Sequence, residues 1–191
     1  TSSSTGAVVV TGGVGIGGDL YIGGAINAAA GLWTNIVPYA SVGTGTSVQN
    51  TTIIPSTATA IMIALSGIST TSTTIPYLRF GPTTTMDSTG YNSIVWLTSP
   101  TFAAPTVSTA QFNICNGSIA ATTVMTCTYN FYKMGTSSGN DLWCYNMAGG
   151  TTTQVSQGSG TYQCSSGAVK YVTLFAGAGN FDAGSWTVWV Q

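Results

Sequence analysis

Side chains able to do proton or metal chemistry are scarce in this chain. Its 191 residues include four cysteines, four carboxylates, three basic groups and no histidine. The charged residues are Asp19, Arg79, Asp87, Lys133, Asp141, Lys170 and Asp182. Proton transfer near neutral pH is usually done by histidine or by a pair of carboxylates, and aspartates this far apart in sequence suggest neither. Each has a turn role at hand instead. Asp19 lies among glycines, Asp141 follows Asn140, Asp182 precedes Ala183-Gly184, and Asp87 precedes Ser88, so their oxygens can accept backbone N–H bonds. A hydroxyl nucleophile with Lys133 or Lys170 as base carries no signature, because Ser and Thr are too abundant for one to stand out. The expectation is a non-enzyme without catalytic residues.

Cys115, Cys127, Cys144 and Cys164 contain no C-x-x-C, and without histidine a zinc site would need all four thiolates, each from a separate strand. No metal is expected. Disulfides and buried free thiols both remain open. Neighbouring strands make Cys115 with Cys127 and Cys144 with Cys164 the plain pairing, though sequence cannot choose among the possible ones.

One stretch imitates a cofactor site. Gly13-Val14-Gly15-Ile16-Gly17-Gly18 satisfies G-x-G-x-x-G, but a dinucleotide needs a helix starting at the third glycine, whose free N–H groups hold the pyrophosphate. The next residues are Asp19-Leu20-Tyr21-Ile22-Gly23-Gly24, another strand and another turn, with no acidic residue at the ribose position. No cofactor is expected.

The same stretch is a repeat. Val8-Val9-Val10-Thr11-Gly12-Gly13 is succeeded by Val14-Gly15-Ile16-Gly17-Gly18-Asp19 and by Leu20-Tyr21-Ile22-Gly23-Gly24-Ala25, with Ile26-Asn27-Ala28 opening a further unit. Apolar first and third places share one face of a strand, and Gly12, Gly18 and Gly24 supply backbone freedom at a turn. A single hexad cannot bury its apolar face, so units must stack. Pooling hexads from several chains is the simplest solution, which predicts an intertwined shaft, most simply a homotrimer. Residues 4–24 resemble the glycine-rich shaft repeat of bacteriophage and other viral fibre proteins.

Composition agrees with an assembly. Only 4% of residues are charged and the net charge is −1, while Thr, Ser, Asn, Gln and Gly supply the polarity. The longest apolar run, residues 60–65, is far short of the ~20 that span a bilayer, so no membrane insertion is expected. Three cations cannot neutralise a run of phosphates, so neither is nucleic acid. Thr1 in place of Met predicts a processed product or the end of a longer chain.

Beyond the repeat the chain reads as all-β. Strands are predicted at 36–42, 47–54, 58–66, 77–81, 94–98, 111–115, 124–132, 141–147, 160–164, 170–176 and 185–190, and no window keeps helical spacing over three turns. This predicts a hexad-repeat shaft over 1–30, a connector over 31–44 and a jelly-roll-like antiparallel β-sandwich over 45–191. The order Ala60-Ile61-Met62-Ile63-Ala64-Leu65-Ser66-Gly67-Ile68-Ser69, Tyr77-Leu78-Arg79-Phe80-Gly81, Ser88-Thr89-Gly90-Tyr91 and Asn180-Phe181-Asp182-Ala183-Gly184-Ser185-Trp186-Thr187-Val188-Trp189-Val190 is similar to the C-terminal β-domain at the tips of phage tail and virion fibres.

The resemblance implies a trimeric fibre on the virion surface, in contact with other virion proteins and attaching by its tip to a host-cell glycan or protein. A capsid decoration or head fibre is the alternative, and a bacterial adhesin a weaker one. Aromatic faces among hydroxyl and amide groups hold neutral sugars, so Trp33, Trp96, Trp143, Trp186 and Trp189 matter, although burial is the plainer role for each. Residues 83–91, 134–143 and 149–162 are the expected recognition loops, being rich in Gly, Ser, Thr and Asn with aromatics at their edges.

Overall fold

A computed structural model describes residues 32–99, 103–121 and 123–191. The hexads, with Gly12, Gly18, Gly24 and Asp19, lie outside the described residues. In chain order the strands are β1 (Thr34–Ser41), β2 (Ser47–Gln49), β3 (Ala60–Thr70), β4 (Tyr77–Gly81), β5 (Tyr91–Ser99), β6 (Thr106–Ser108), β7 (Phe112–Asn113), β8 (Met125–Ser137), β9 (Asn140–Gly150), β10 (Val155–Gln163), β11 (Tyr171–Phe175) and β12 (Phe181–Val190). No helix occurs among the described residues.

The strands form two sheets, an eight-stranded one in the order β1-β12-β3-β8-β9-β10-β5-β6 and a four-stranded one in the order β2-β11-β4-β7. Every pairing is antiparallel. The period of two decides which side chains meet. Along β8, Met125, Cys127, Tyr129 and Phe131 point into the core, whereas Thr126, Thr128, Asn130 and Tyr132 face outward. Aromatic rings join the sheets: Phe80 of the small sheet lies 4.6 Å from Phe131 and 5.8 Å from Tyr162 of the large one, centroid to centroid. Such contacts add about 0.5–1.5 kcal/mol each beyond the area they bury. The arrangement is a sandwich with one continuous core.

Each predicted strand overlaps an observed one, with three differences. The stretch read as a connector contributes β1, which hydrogen-bonds to β12. Much of the stretch expected as a loop at 149–162 is strand β10, whose Gly158 and Gly160 make it look like a turn in sequence. The short strand β6 lies where the sequence pattern predicts none. The Phe181-Asp182-Ala183-Gly184-Ser185 segment is a doubly bulged start to β12, where the register against β3 slips twice. Gly184 has φ +118° there, and a Cβ on it would come within 2.8 Å of the Ile68 Cα, so this bulge needs glycine.

The registers sort the loops into two ends. Thr34 pairs with Val190, Val190 with Ile61, and Ile61 with Phe131, so the chain comes into the sandwich at the end that also carries loops 50–59, 82–90, 138–139 and 164–170. We call this the proximal end. The distal end carries loops 42–46, 71–76, 114–121, 123–124, 151–154 and 176–180.

Candidate functional site

Charge is concentrated at the proximal end, and most of it is bound up in the fold. Asp87, in the loop before β5, accepts bonds from the Tyr162 hydroxyl, the Ser165 N–H at 2.8 Å and the Ser165 hydroxyl at 2.7 Å. The neighbouring Tyr91 hydroxyl accepts from the Phe80 N–H at 2.8 Å. Burial pushes the Tyr91 and Tyr162 phenols well above their ordinary range, so both stay neutral. Asp141, buried at the start of β9, receives Lys133 Nζ at 2.6 Å and the Val169 N–H at 3.1 Å. Lys133 also donates to the Ser56 carbonyl at 3.3 Å. Both carboxylates act as clamps between loops, a longer reach than the local turn roles their sequence neighbours suggest.

Two further charges are likewise held within the fold. Asp182 accepts the Ser69 hydroxyl across the β12 bulge. Arg79 in β4 donates to the Ala110 carbonyl and the Gln111 amide oxygen, both at 3.1 Å, with its guanidinium 5.0 Å from the Tyr77 ring centroid. Among the described residues no group of His, Cys, Asp and Glu comes together as a metal site.

None of the four cysteines is bonded to another; Cys115, Cys127 and Cys164 are buried thiols, and Cys144 is half-exposed on the outer face of β9. The plain pairing is not formed. In the register Cys144 faces Tyr132 and Thr161, not Cys164, and Cys127 faces Gly149. Burial pushes the Cys115 thiol up to about 12, which keeps it protonated and inert.

The tryptophans divide. Trp143 and Trp186 are fully buried, and the Trp143 indole N–H finds no hydrogen-bond partner among the described residues. Trp96 and Trp189 are half-buried on the outer face of the large sheet, and Trp33 lies 40% exposed at the proximal end. Nor do the nominated loops share an end. Residues 83–91 and the β8–β9 hairpin within 134–143 are proximal; only the turn at 151–154 is distal.

The distal end has a different chemistry. Its described loops hold no Asp, Glu, Lys or Arg, and no aromatic residue; Thr, Ser, Gly, Ala and Asn predominate. Between loop 114–124 and the turn 151–154 lies a cavity of about 200 Å³. Residues 118–120 and Thr123 line one side, and Thr151, Thr153 and Gln154 the other. Both walls are fixed by backbone bonds. Ile119 exchanges two with Thr74, at 3.0 and 2.8 Å, Thr123 donates to Ala120 at 3.1 Å, and Thr151 donates to Gln154 at 2.9 Å. The Thr151 hydroxyl also accepts the Thr153 N–H at 3.2 Å, tightening the turn. Sequence reasoning passed over Ser118 and Thr123, whereas Thr151, Thr153 and Gln154 fall within the stretch 149–162 expected as a recognition loop.

No protein family matches the chain, and no curated protein or solved structure is similar to it.

Proposed function

We propose that this chain is the outer part of a trimeric bacteriophage fibre, a glycine-rich shaft carrying a jelly-roll-like tip. The tip attaches the virion to an uncharged component of the host-cell surface. The observation that carries this reading is the division of the sandwich into a clamped, charge-bearing end that receives the chain at Leu32 and an opposite end whose described loops hold no charge. An attachment surface belongs at the end opposite the one where the chain enters the sandwich, on loops held by a rigid scaffold. Hydroxyl and amide groups there fit a glycan or an uncharged protein patch and leave an anionic polymer unmatched.

The outer face of the large sheet supports assembly with other copies and other virion proteins. Trp189, Met62, Asn130, Asn146, Ser159, Ile94 and Val107 succeed one another across the strands in a single uncharged row. The same row is what a capsid decoration or head fibre would use, so position on the particle discriminates. Cryo-electron microscopy of the intact virion is expected to place the chain at the free end of a fibre; density lying flat on the capsid shell would overturn the attachment reading in favour of decoration.

A further inference from the structure

We propose that the distal cavity lined by residues 118–120 and Thr123 on one side and by the turn 151–154 on the other is a binding site for a single neutral sugar ring. The inference rests on the attachment reading and names the ligand class at that end. Size is the first constraint: about 200 Å³ lies below the roughly 300–1,000 Å³ of sites for drug-sized ligands, which leaves room for one ring and not for a folded peptide segment. Chemistry is the second. Ser118, Thr123, Thr151 and Thr153 line it with residue types whose hydroxyls both donate and accept, the Thr151 and Thr153 hydroxyls lying 3.4 Å from each other, and Gln154 adds an amide that does the same from separate atoms. A polyhydroxyl ligand needs that mixture. Among the described residues lining it, a phosphate or carboxylate would meet no cation, and a metal ion no carboxylate. Ala120 and the edge of the buried Ile119 make up the apolar part of the lining.

Preorganisation is the third constraint. The paired backbone bonds of Ile119 with Thr74 and the closed turn at 151–154 fix both walls before ligand arrives, so binding orders little of the protein. Among the described residues the lining holds no aromatic ring, so recognition by these walls runs through hydrogen bonds rather than the aromatic stacking expected from the sequence. Affinity for a single ring is then weak, in the millimolar range, and repeated sites on a trimeric fibre would raise it by avidity.

The test is a backbone amide NMR titration of the full chain with D-glucose, D-galactose, D-mannose and N-acetyl-D-glucosamine, with N-acetylneuraminic acid as the anionic control. At least one neutral sugar is expected to give saturable shifts confined to residues 118–123 and 151–154, and the anionic sugar none. Thr123→Val and Gln154→Leu should each weaken that binding about tenfold, the worth of one hydrogen bond, without lowering the melting temperature. Absence of shifts with all four neutral sugars, or shifts elsewhere on the domain, would overturn the proposal. Adsorption of the same labelled chain to host cells separates the two levels. Adsorption without sugar shifts rejects the cavity and leaves the attachment reading standing, whereas a chain that neither adsorbs nor shifts rejects both.

Discussion

Removing the Asp87 carboxylate should destabilise the sandwich at its proximal end while leaving the distal end intact. Asp87→Ala deletes the acceptor for the Tyr162 hydroxyl, which is fully buried, and for two bonds from Ser165 at the surface. The Tyr162 hydroxyl is left with only a long 3.4 Å bond to the Phe80 carbonyl, a loss of roughly 1–2 kcal/mol, and each surface bond is worth about 0.5–1 kcal/mol. The sum is about 3 kcal/mol, which in a domain of this size lowers the melting temperature by about 6–12 °C. Tyr162→Phe keeps the ring, with its 4.6 Å stack on Tyr91, and removes only the donor, so it should cost about 1–2 kcal/mol. Once that donor is gone, Asp87→Ala forfeits only the Ser165 bonds, and the double variant should fall short of additivity by about 1.5 kcal/mol. Urea unfolding followed by tryptophan fluorescence, with all variants at one protein concentration because assembly shifts apparent stability, measures the cycle. Additive losses, or an Asp87→Ala chain that melts within about 2 °C of the parent, would refute the clamp.

Thiol titration of the folded chain at neutral pH should find Cys144 reactive and Cys115, Cys127 and Cys164 silent until denaturant is added, since only Cys144 is half-exposed. Alkaline stability should be lost cooperatively: burial lifts Cys115 from 9.0 to about 12 and Tyr145 from 10.0 to about 12. Because these folded values are raised, the stabilisation is complete below pH 9 and disappears as pH rises through 12, so the share of tyrosinate absorbance from buried tyrosines should appear together with loss of circular dichroism, whereas exposed Tyr39, its phenol lowered by hydrogen bonds with Ser185 and Ser66, ionises ahead of it. Gly149→Ala would place a Cβ 2.1 Å from the Cys127 Cβ across the β8–β9 pair, and should cost about 1–3 kcal/mol or prevent folding, as read by urea unfolding. Adsorption of the labelled chain to host cells should be nearly the same at low salt and at roughly 0.5 M salt; abolition by salt would contradict the neutral mode of contact.

What sequence could disclose was local. Alternation of Met125, Cys127, Tyr129 and Phe131 with polar neighbours gave β8 away, and Tyr77–Gly81 forms the strand its pattern predicts. Strand β6 carried no such signal: it is short, and its one apolar residue, Val107, faces outward at 60% exposure. Strand β10 was obscured by Gly158 and Gly160, which read as turn residues and serve instead to let Met147 and Tyr145 approach β5. The composition of every loop was legible, but not which end of the sandwich each occupies. That depends on long-range pairings such as β12 inserting between β1 and β3, which no local pattern encodes. For this reason residues 83–91 and 134–143 looked as good for recognition as 149–162. The cavity was hidden on the same account, since its two walls come from segments about thirty residues apart that only the fold brings together.

The most direct test of attachment through the uncharged distal loops is to block each end in turn. In a Cys144→Ser background, which removes the half-exposed thiol, Thr153→Cys places a reactive group beside the distal cavity and Ser138→Cys places one at the tip of the proximal β8–β9 hairpin. Each is capped with a maleimide-linked polyethylene glycol and the adsorption of the chain to host cells is measured. The account predicts adsorption lost on capping at 153 and kept on capping at 138; adsorption kept at 153, or lost only at 138, would contradict it.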